Sequence, residues 1–437
     1  MGLCHFGSLI KFIPYTITTG FTSGIAVTIV IGQLKDFFGV TYPDGVKPIE
    51  TTEKFKAFIE NISTMNTAAL IVGIVSLAIL IISPVIFKKI PGSLIAVIVG
   101  ILMVQFLPLK VSTIGNLYTI SNSLPSFHMP AIRFSTISAS VSNAFTIAVL
   151  AAIESLLSCV VADGMINSKH RSDMELVAQG AGNIASALFG GIPATGAIAR
   201  TAANIKNGGR TPIAGMVHSV TLIIVLVVLM PYAGMIPMPT IAAILFIVAY
   251  NMCQWRTFRD LVRTAPKSDI LVLIVTFILT VIFDLVVAIE IGMVLACLLF
   301  IKRMSEETHA DSWVYTDDDT PDIDEHLQKL PLQIRVYEIT GPLFFGAADA
   351  IEHIVVKDFT RCLVLRMRGV PALDSTAMNA LQNLVKTCES KGITLVFSHV
   401  NEQPMHVMEK AGFVELVGKE NFQSNISAAL KRAEEVI

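Results

Sequence analysis

Residues 190–203 read GGIPATGAIARTAA, three glycines, a proline and an arginine in a chain whose other long segments are rich in leucine, isoleucine and valine. Lipid offers no water to satisfy backbone amides and carbonyls, so a Gly/Pro-interrupted stretch at membrane depth persists only where protein buries it or an aqueous cavity wets it. Such broken helices mark binding sites in carriers. Transport is the leading expectation.

Composition agrees. Apolar residues make up 53% of the 437, charged residues 15%, and mean hydropathy is +0.67, values that belong to an integral membrane protein. Net charge is −2 and no basic patch interleaved with aromatics could track a phosphate backbone, so nucleic acid is excluded as a partner. Six cysteines (Cys4, Cys159, Cys253, Cys297, Cys362, Cys388) lie scattered without a CxxC pair or metal-ligand spacing and read as reduced. No metal site, phosphate-cradling loop or Ser/His/Asp arrangement with a nucleophile motif is present, so the chain does not read as an enzyme; Glu325 and His326 are merely adjacent in a linker. Lys11 interrupts the first apolar residues and no small-residue cleavage site follows, unlike a secretory signal.

Apolar spans fall at residues 12–34, 65–87, 90–107, 138–161, 176–189, 195–205, 213–230, 236–253, 270–283 and 285–301, with Asp284 at the last tight turn. Roughly ten segments result by the criterion of about 20 residues per crossing, shorter where a helix is broken. Threaded alternately, Lys88, Lys89, Lys169, Arg171, Lys206, Arg210, Arg256, Arg259, Arg263, Lys267, Lys302 and Arg303 share one side, which the positive-inside rule makes cytoplasmic. Residues 1–303 thus read as a membrane domain. Residues 304–329, with Asp317, Asp318, Asp319, Pro321, Asp322 and Asp324, read as a solvated acidic linker. Residues 330–437 alternate strand-like runs (332–339, 362–367, 393–399) with helical patterns (347–356, 376–391, 402–411, 421–433), a small cytoplasmic α/β domain with a parallel or mixed sheet.

Three stretches carry a family resemblance: FIPYTITTGFTSGIAVTIVIGQLKDFFG at 12–39, AAIESLLSCVVADGM at 151–165 and GGIPATGAIARTAANIKNGGRTPIAG at 190–215. They resemble the sulfate permease (SulP) family of anion transporters in its bacterial form. In the C-terminal part, GPLFFGAADA at 341–350, RCLVLRM at 361–367 and GVPALDSTAMNAL at 369–381 are similar to the STAS domain that follows the membrane part in that family. The resemblance implies an α-helical polytopic membrane protein with a 7+7 inverted-repeat transporter fold, followed by a small STAS domain. This chain reads as segments five to fourteen, lacking the first four. It implies secondary active transport of a sulfate-like inorganic anion. The alternatives are a C4-dicarboxylate or bicarbonate transporter, or a truncated relative that does not transport and acts as a STAS-based regulatory scaffold. Further implied are an inner-membrane location, H+ or Na+ as coupling ion with no other cofactor, a homodimer, and a cytoplasmic protein partner on the STAS domain.

The resemblance also assigns residues. A half-length helix at about 195–205 would aim its N-terminal amides and dipole at the anion, ringed by Ala194, Thr195, Gly196 and Ala197, with Thr195 offering a hydroxyl and Arg200 positive potential; the plain alternative is close helix packing by small residues. Glu154 lies inside an apolar span with Ser158 four residues on, on the same face and pointing into the bundle. The resemblance makes Glu154 the coupling carboxylate, the alternative being a fixed ion pair with Arg200. Asp163, Lys169, Asp284 and Glu290 read as interface anchors or surface charges, and His218 as a hydrogen-bonded packing residue. Gln179 and Asn183 either donate to the broken region or join helices. Asp374, Ser375 and Thr376 read as a helix N-cap; by resemblance to anti-sigma-factor antagonists of the same fold, Thr376 would be the phosphorylated position.

Overall fold

The fold was obtained as a computed structural model, which describes the chain apart from residues 9–12, 44, 87–89, 108, 120–122, 131–132, 284, 314–330, 353 and 355–358. Asp284, Glu325, His326 and the acidic run of the linker lie outside the described residues. Two compact units divide at Ala296/Cys297.

The first unit is all helical. In chain order it contains α1 (Tyr15–Phe38), α2 (Thr51–Glu60), α3 (Thr67–Ile86), α4 (Gly92–Phe106), α5 (Ile114–Leu117), α6 (Phe134–Ile166), α7 (Ser172–Leu188), α8 (Ile198–Lys206), α9 (Ile213–Ile224), α10 (Met230–Ala233), α11 (Met238–Cys253), α12 (Trp255–Thr264) and α13 (Lys267–Ile282); α14 (Leu285–Glu306) runs on into the second unit. Each apolar span read from the sequence corresponds to a helix. A π-helical stretch at Val225–Leu229 carries α9 into α10, and no residue of the combined Ile213–Ala233 segment is fully buried within the chain.

Small residues let two groups of helices close up. α1 packs on α11 and α13, and α3 on α11 and α4. A Cβ at Gly20 would lie 2.7 Å from the Leu273 carbonyl oxygen and one at Gly24 2.6 Å from Thr280 Cβ, so only glycine admits α13 at this distance. Ala242 and Ala243 of α11 and Ala96 of α4 are fully buried, and the Ser76 and Thr240 hydroxyls share a 2.9 Å hydrogen bond between α3 and α11. The second group is α6 with α7 and α8.

The second unit is an α/β layer structure on a five-stranded sheet, β1 (His309–Trp313), β2 (Ile334–Thr340), β3 (Cys362–Gly369), β4 (Thr394–Ser398) and β5 (Phe422–Gln423), ordered 1-2-3-4-5. β1 is antiparallel to β2 and the remaining pairs are parallel. Helices α15 (Asp349–Glu352), α16 (Ser375–Ser390), α17 (Glu402–Lys410), α18 (Phe413–Val417) and α19 (Ile426–Val436) complete it. Strand alternation sorts the core. Leu363, Leu365, Met367 and Phe397 face α16, while Cys362, Val364 and Val396 face Ala429, Leu430 and Ala433 of α19. Two expectations change. Residues 309–313, assigned to the linker, form the edge strand β1, whose sequence HADSW has no apolar alternation to announce it. Residues 421–433 are not one helix: β5 takes 422–423 and Asn425 caps α19 through Ala428 N, 2.8 Å.

All six cysteines are free. Burial pushes the Cys362 thiol up to about 12 and the Cys388 thiol up to about 11. Both therefore stay protonated and unreactive in the folded unit. Maleimide labelling of the native chain at pH 8 should modify the exposed Cys4 and spare Cys362 and Cys388 until denaturant is added, as read by peptide mass spectrometry. Native modification of either buried thiol would contradict this packing.

Candidate functional site

α7 ends where Gly190 adopts a left-handed φ of +73°, with Gly191 N donating to Ser186 O at 2.8 Å. A side chain at 190 would be strained there, which explains the first glycine of the motif. The chain then runs extended from Gly191 to Ala197 before α8 begins at Ile198, three residues later than the sequence suggested. α8 is only nine residues long.

A polar stripe on α7 and the facing side of α6 hold this extended run. Asn183 reads both ends of the Ala194 residue: its Oδ1 accepts from Ala194 N at 2.8 Å, and its Nδ2 donates to Ala194 O at 3.0 Å. Gln179 Nε2 donates to the same carbonyl at 2.8 Å. Ser186 Oγ donates to Ile192 O at 3.1 Å. From α6, the buried Ser155 hydroxyl points to Gln179 Oε1 at 3.0 Å and Glu175 Oε1 at 3.2 Å, and the buried Ser158 donates to Thr201 of α8 at 2.8 Å. Thr195 Oγ1 donates to Ala151 O of α6 at 2.8 Å. Gly196 completes the contact, since a Cβ there would lie 3.3 Å from Ser155.

Ala194, Thr195, Gly196, Ala197 and Arg200 thus lie at the start of α8, which Ser158 of α6 meets through Thr201, and Glu154 sits one turn before Ser158 on α6. The hydrogen bonds revise two roles. The Thr195 hydroxyl gives its proton to α6 and the Ala194 amide is taken by Asn183, so neither donates to a ligand while these bonds stand. No side chain caps α8, and among the described residues the amides of Gly196, Ala197 and Ile198 have no acceptor. These unpaired donors at the positive end of a helix are what the site offers chemically. At the other end Arg210 Nη1 caps the Ile205 carbonyl at 2.9 Å. Arg200 is exposed, and among the described residues it makes no ion pair with Glu154, which is itself partly buried without a hydrogen-bond partner. The fixed Glu154–Arg200 pair is absent.

Other candidates lie apart. Asp163 accepts from both the backbone and the Nδ1 of His170 (3.0 and 2.7 Å) at the α6–α7 turn, while Lys169 and Glu290 are exposed. His218 is exposed on α9 with no hydrogen bond among the described residues, contrary to a packing role. In the second unit Asp374 caps α16 through Ala377 N (2.9 Å) and also accepts from Phe345 N (2.8 Å), leaving Ser375 and Thr376 exposed in the first turn. A cleft of about 830 Å3 lined by Gln105, Lys110 and Asn116 lies elsewhere in the first unit and contains none of these residues. Ser155 and Glu175 escaped the sequence reading, although Glu175, Gln179 and Asn183 recur every four residues and so line one face of α7.

Comparison with known proteins fits this arrangement. The sequence profile of the sulfate permease family matches residues 1–276, and that of the STAS domain residues 329–429. The chain belongs to the sulfate permease family. YvdB of Bacillus subtilis, named as a candidate sulfate transporter, is 36% identical over 96% of the chain and 78% of its own length. The bicarbonate transporter BicA of Synechocystis is 30% identical over 99% of the chain and 77% of its own length. Among solved structures, murine Slc26a9 shares the fold with a TM-score of 0.83 at 20% identity, covering 97% of this chain and 71% of that one. The transmembrane domain of a cyanobacterial BicA gives 0.55 at 27% identity, covering 68% of this chain and 71% of that one. The helical membrane domain followed by an α/β STAS domain is the architecture this sulfate permease relative adopts.

If Asn183 clamps the residue before the half-helix, Asn183→Leu should lower stability by about 1 kcal/mol, the typical net worth of a hydrogen bond. Scanning fluorimetry of the purified protein would show it as a lower melting temperature, with Asn183→Asp, which keeps only the acceptor, falling between. An unchanged melting temperature for Asn183→Leu would remove the clamp.

Proposed function

We propose that this protein moves an inorganic oxyanion, sulfate or bicarbonate, across the membrane, and that the anion rests on the amides at the N-terminus of α8. The observation that carries this is the uncapped half-helix: donors at Gly196, Ala197 and Ile198 without acceptors, on a loop pinned from α6 and α7. A donor array already fixed in place binds charge without reorganisation, and small residues at 194, 196 and 197 let an anion reach the backbone. Relatives named for sulfate and for bicarbonate support both substrates equally, because backbone amides bind either oxyanion. Arg200 adds positive potential without contacting a protein carboxylate.

Glu154, one turn from Ser158 on α6, is the coupling group in this proposal, exchanging H+ or Na+ as the anion moves. The helix group built around α1, α3, α11 and α13 forms the frame against which the α6–α8 group works, and two copies pair through this frame and the STAS domains. The protein sits in the inner membrane with its STAS domain in the cytoplasm, a side supported by the lysines and arginines of the short loops. Thr376, exposed at the N-terminus of α16, is the position where phosphate would adjust a cytoplasmic contact; Thr376→Glu and Thr376→Ala should then differ in transport rate.

Uptake of radiolabelled sulfate and bicarbonate into proteoliposomes tests the reading. Arg200→Gln should raise the half-saturating anion concentration roughly tenfold, the scale of one lost charge-assisted interaction. Glu154→Gln should abolish the response to a pH or sodium gradient and leave anion exchange intact. Unchanged half-saturation in the first variant, or unchanged gradient dependence in the second, would remove that residue from its role.

A further inference from the structure

α12 has the sequence WRTFRDLVRT and connects two membrane helices by very short links. Gln254 alone separates it from α11, in a left-handed conformation (φ +45°), and Ala265–Pro266 alone separate it from α13. At 100° per residue, Trp255, Phe258, Leu261 and Val262 occupy one side of the helix, and Arg256, Arg259 and Arg263 fall together on a narrow adjoining arc. Inward, Phe258 meets Phe277 of α13 edge-on, ring centroids 5.3 Å apart, and the helix also lies against α1. Outward, Trp255 is 42% and Val262 38% exposed, and all three arginines are exposed. The Arg256 and Arg259 guanidinium carbons stand 5.6 and 5.3 Å from the Trp255 ring centroid. Asp260 is the only acid in the helix; it pairs with Arg259 at 3.2 Å and leaves Arg256 and Arg263 without a protein carboxylate among the described residues.

From this we propose that the outer face of α12 is a binding site for anionic phospholipid headgroups. The short links tie the helix to the membrane at both ends. Its apolar side, beside Phe277, lies at acyl-chain depth; the exposed Trp255 and Val262 meet the acyl boundary, and the arginines reach up to lipid phosphates. Guanidinium groups suit phosphate oxygens through paired N–H bonds, and two of the three rest on the Trp255 ring, which limits their freedom before a lipid arrives. A protein partner would have to displace lipid from a helix edge that is apolar on one side and cationic on the other, which is the arrangement that suits a bilayer surface.

The full chain carrying Trp313→Phe keeps Trp255 as its sole tryptophan, since there are two in all. It would be reconstituted in nanodiscs of phosphatidylcholine with phosphatidylglycerol, with bromine on the acyl chains of one lipid or the other at equal mole fraction. Brominated phosphatidylglycerol should quench Trp255 more strongly than brominated phosphatidylcholine. The Arg256→Gln/Arg259→Gln/Arg263→Gln variant should lose that preference, with retention of phosphatidylglycerol through detergent purification falling about fivefold per arginine. The corresponding triple lysine variant, which keeps the charges, should retain most of it and shows that the helix still folds. Equal quenching by both lipids in the parent, or an unchanged preference in the glutamine variant, overturns the proposal. Quenching by neither lipid also overturns it, since Trp255 would then lie away from the acyl chains.

Discussion

Everything about the candidate site depends on the need to satisfy a broken backbone where lipid cannot do so. Between Gly191 and Ala197 the chain leaves helical geometry, and each exposed amide or carbonyl must find a partner in the protein or keep one for a ligand. Asn183, Gln179 and Ser186 from α7 take the residues nearest the break, and Ala151 of α6 takes the Thr195 hydroxyl. Among the described residues the amides of Ile192, Thr195, Gly196, Ala197 and Ile198 keep no protein acceptor, and the last three open α8. The same interactions that make the break tolerable thus leave a run of consecutive free donors, Thr195 to Ile198, leading into α8.

That run of donors would be useless on a yielding scaffold. The α1–α11–α13 contact, with Gly20 and Gly24 where any Cβ would strike Leu273 or Thr280, leaves little room for rearrangement within that group. The α6–α8 group adds to its buried Ile153, Leu156 and Leu176 a set of hydroxyl and amide hydrogen bonds between helices, and α9–α10 has no buried residue. Hydrogen bonds of this kind can be exchanged for equivalent ones, whereas tight backbone contacts cannot.

Much of this was legible in the sequence because long apolar segments have few alternatives: every span from 12–34 to 285–301 became a helix, and the motif at 190–203 fell on the break. Boundaries shifted where local chemistry overrode hydropathy. α8 starts at Ile198 because Thr195 and Gly196 are pulled onto α6. The role given to the Thr195 hydroxyl changed for the same reason, since its partner Ala151 is 44 residues away and no local pattern announces it. The polar stripe of Glu175, Gln179 and Asn183 was visible at helical spacing, but its target, the Ala194 residue, was not. In the STAS domain the buried strands β3 and β4 were plain from their apolar runs, whereas the short edge strands β1 and β5 depend on pairing with neighbours distant in sequence.

The central claim is that an oxyanion sits on the unpaired amides that open α8. Diffraction from crystals of the protein grown in selenate, recorded at the selenium edge, addresses it directly. The account predicts an anomalous peak within hydrogen-bonding reach of the Gly196, Ala197 and Ile198 amides, weakened in Arg200→Gln crystals. Selenate ordered elsewhere in the membrane domain, with no density at that helix end under saturating anion, would contradict it.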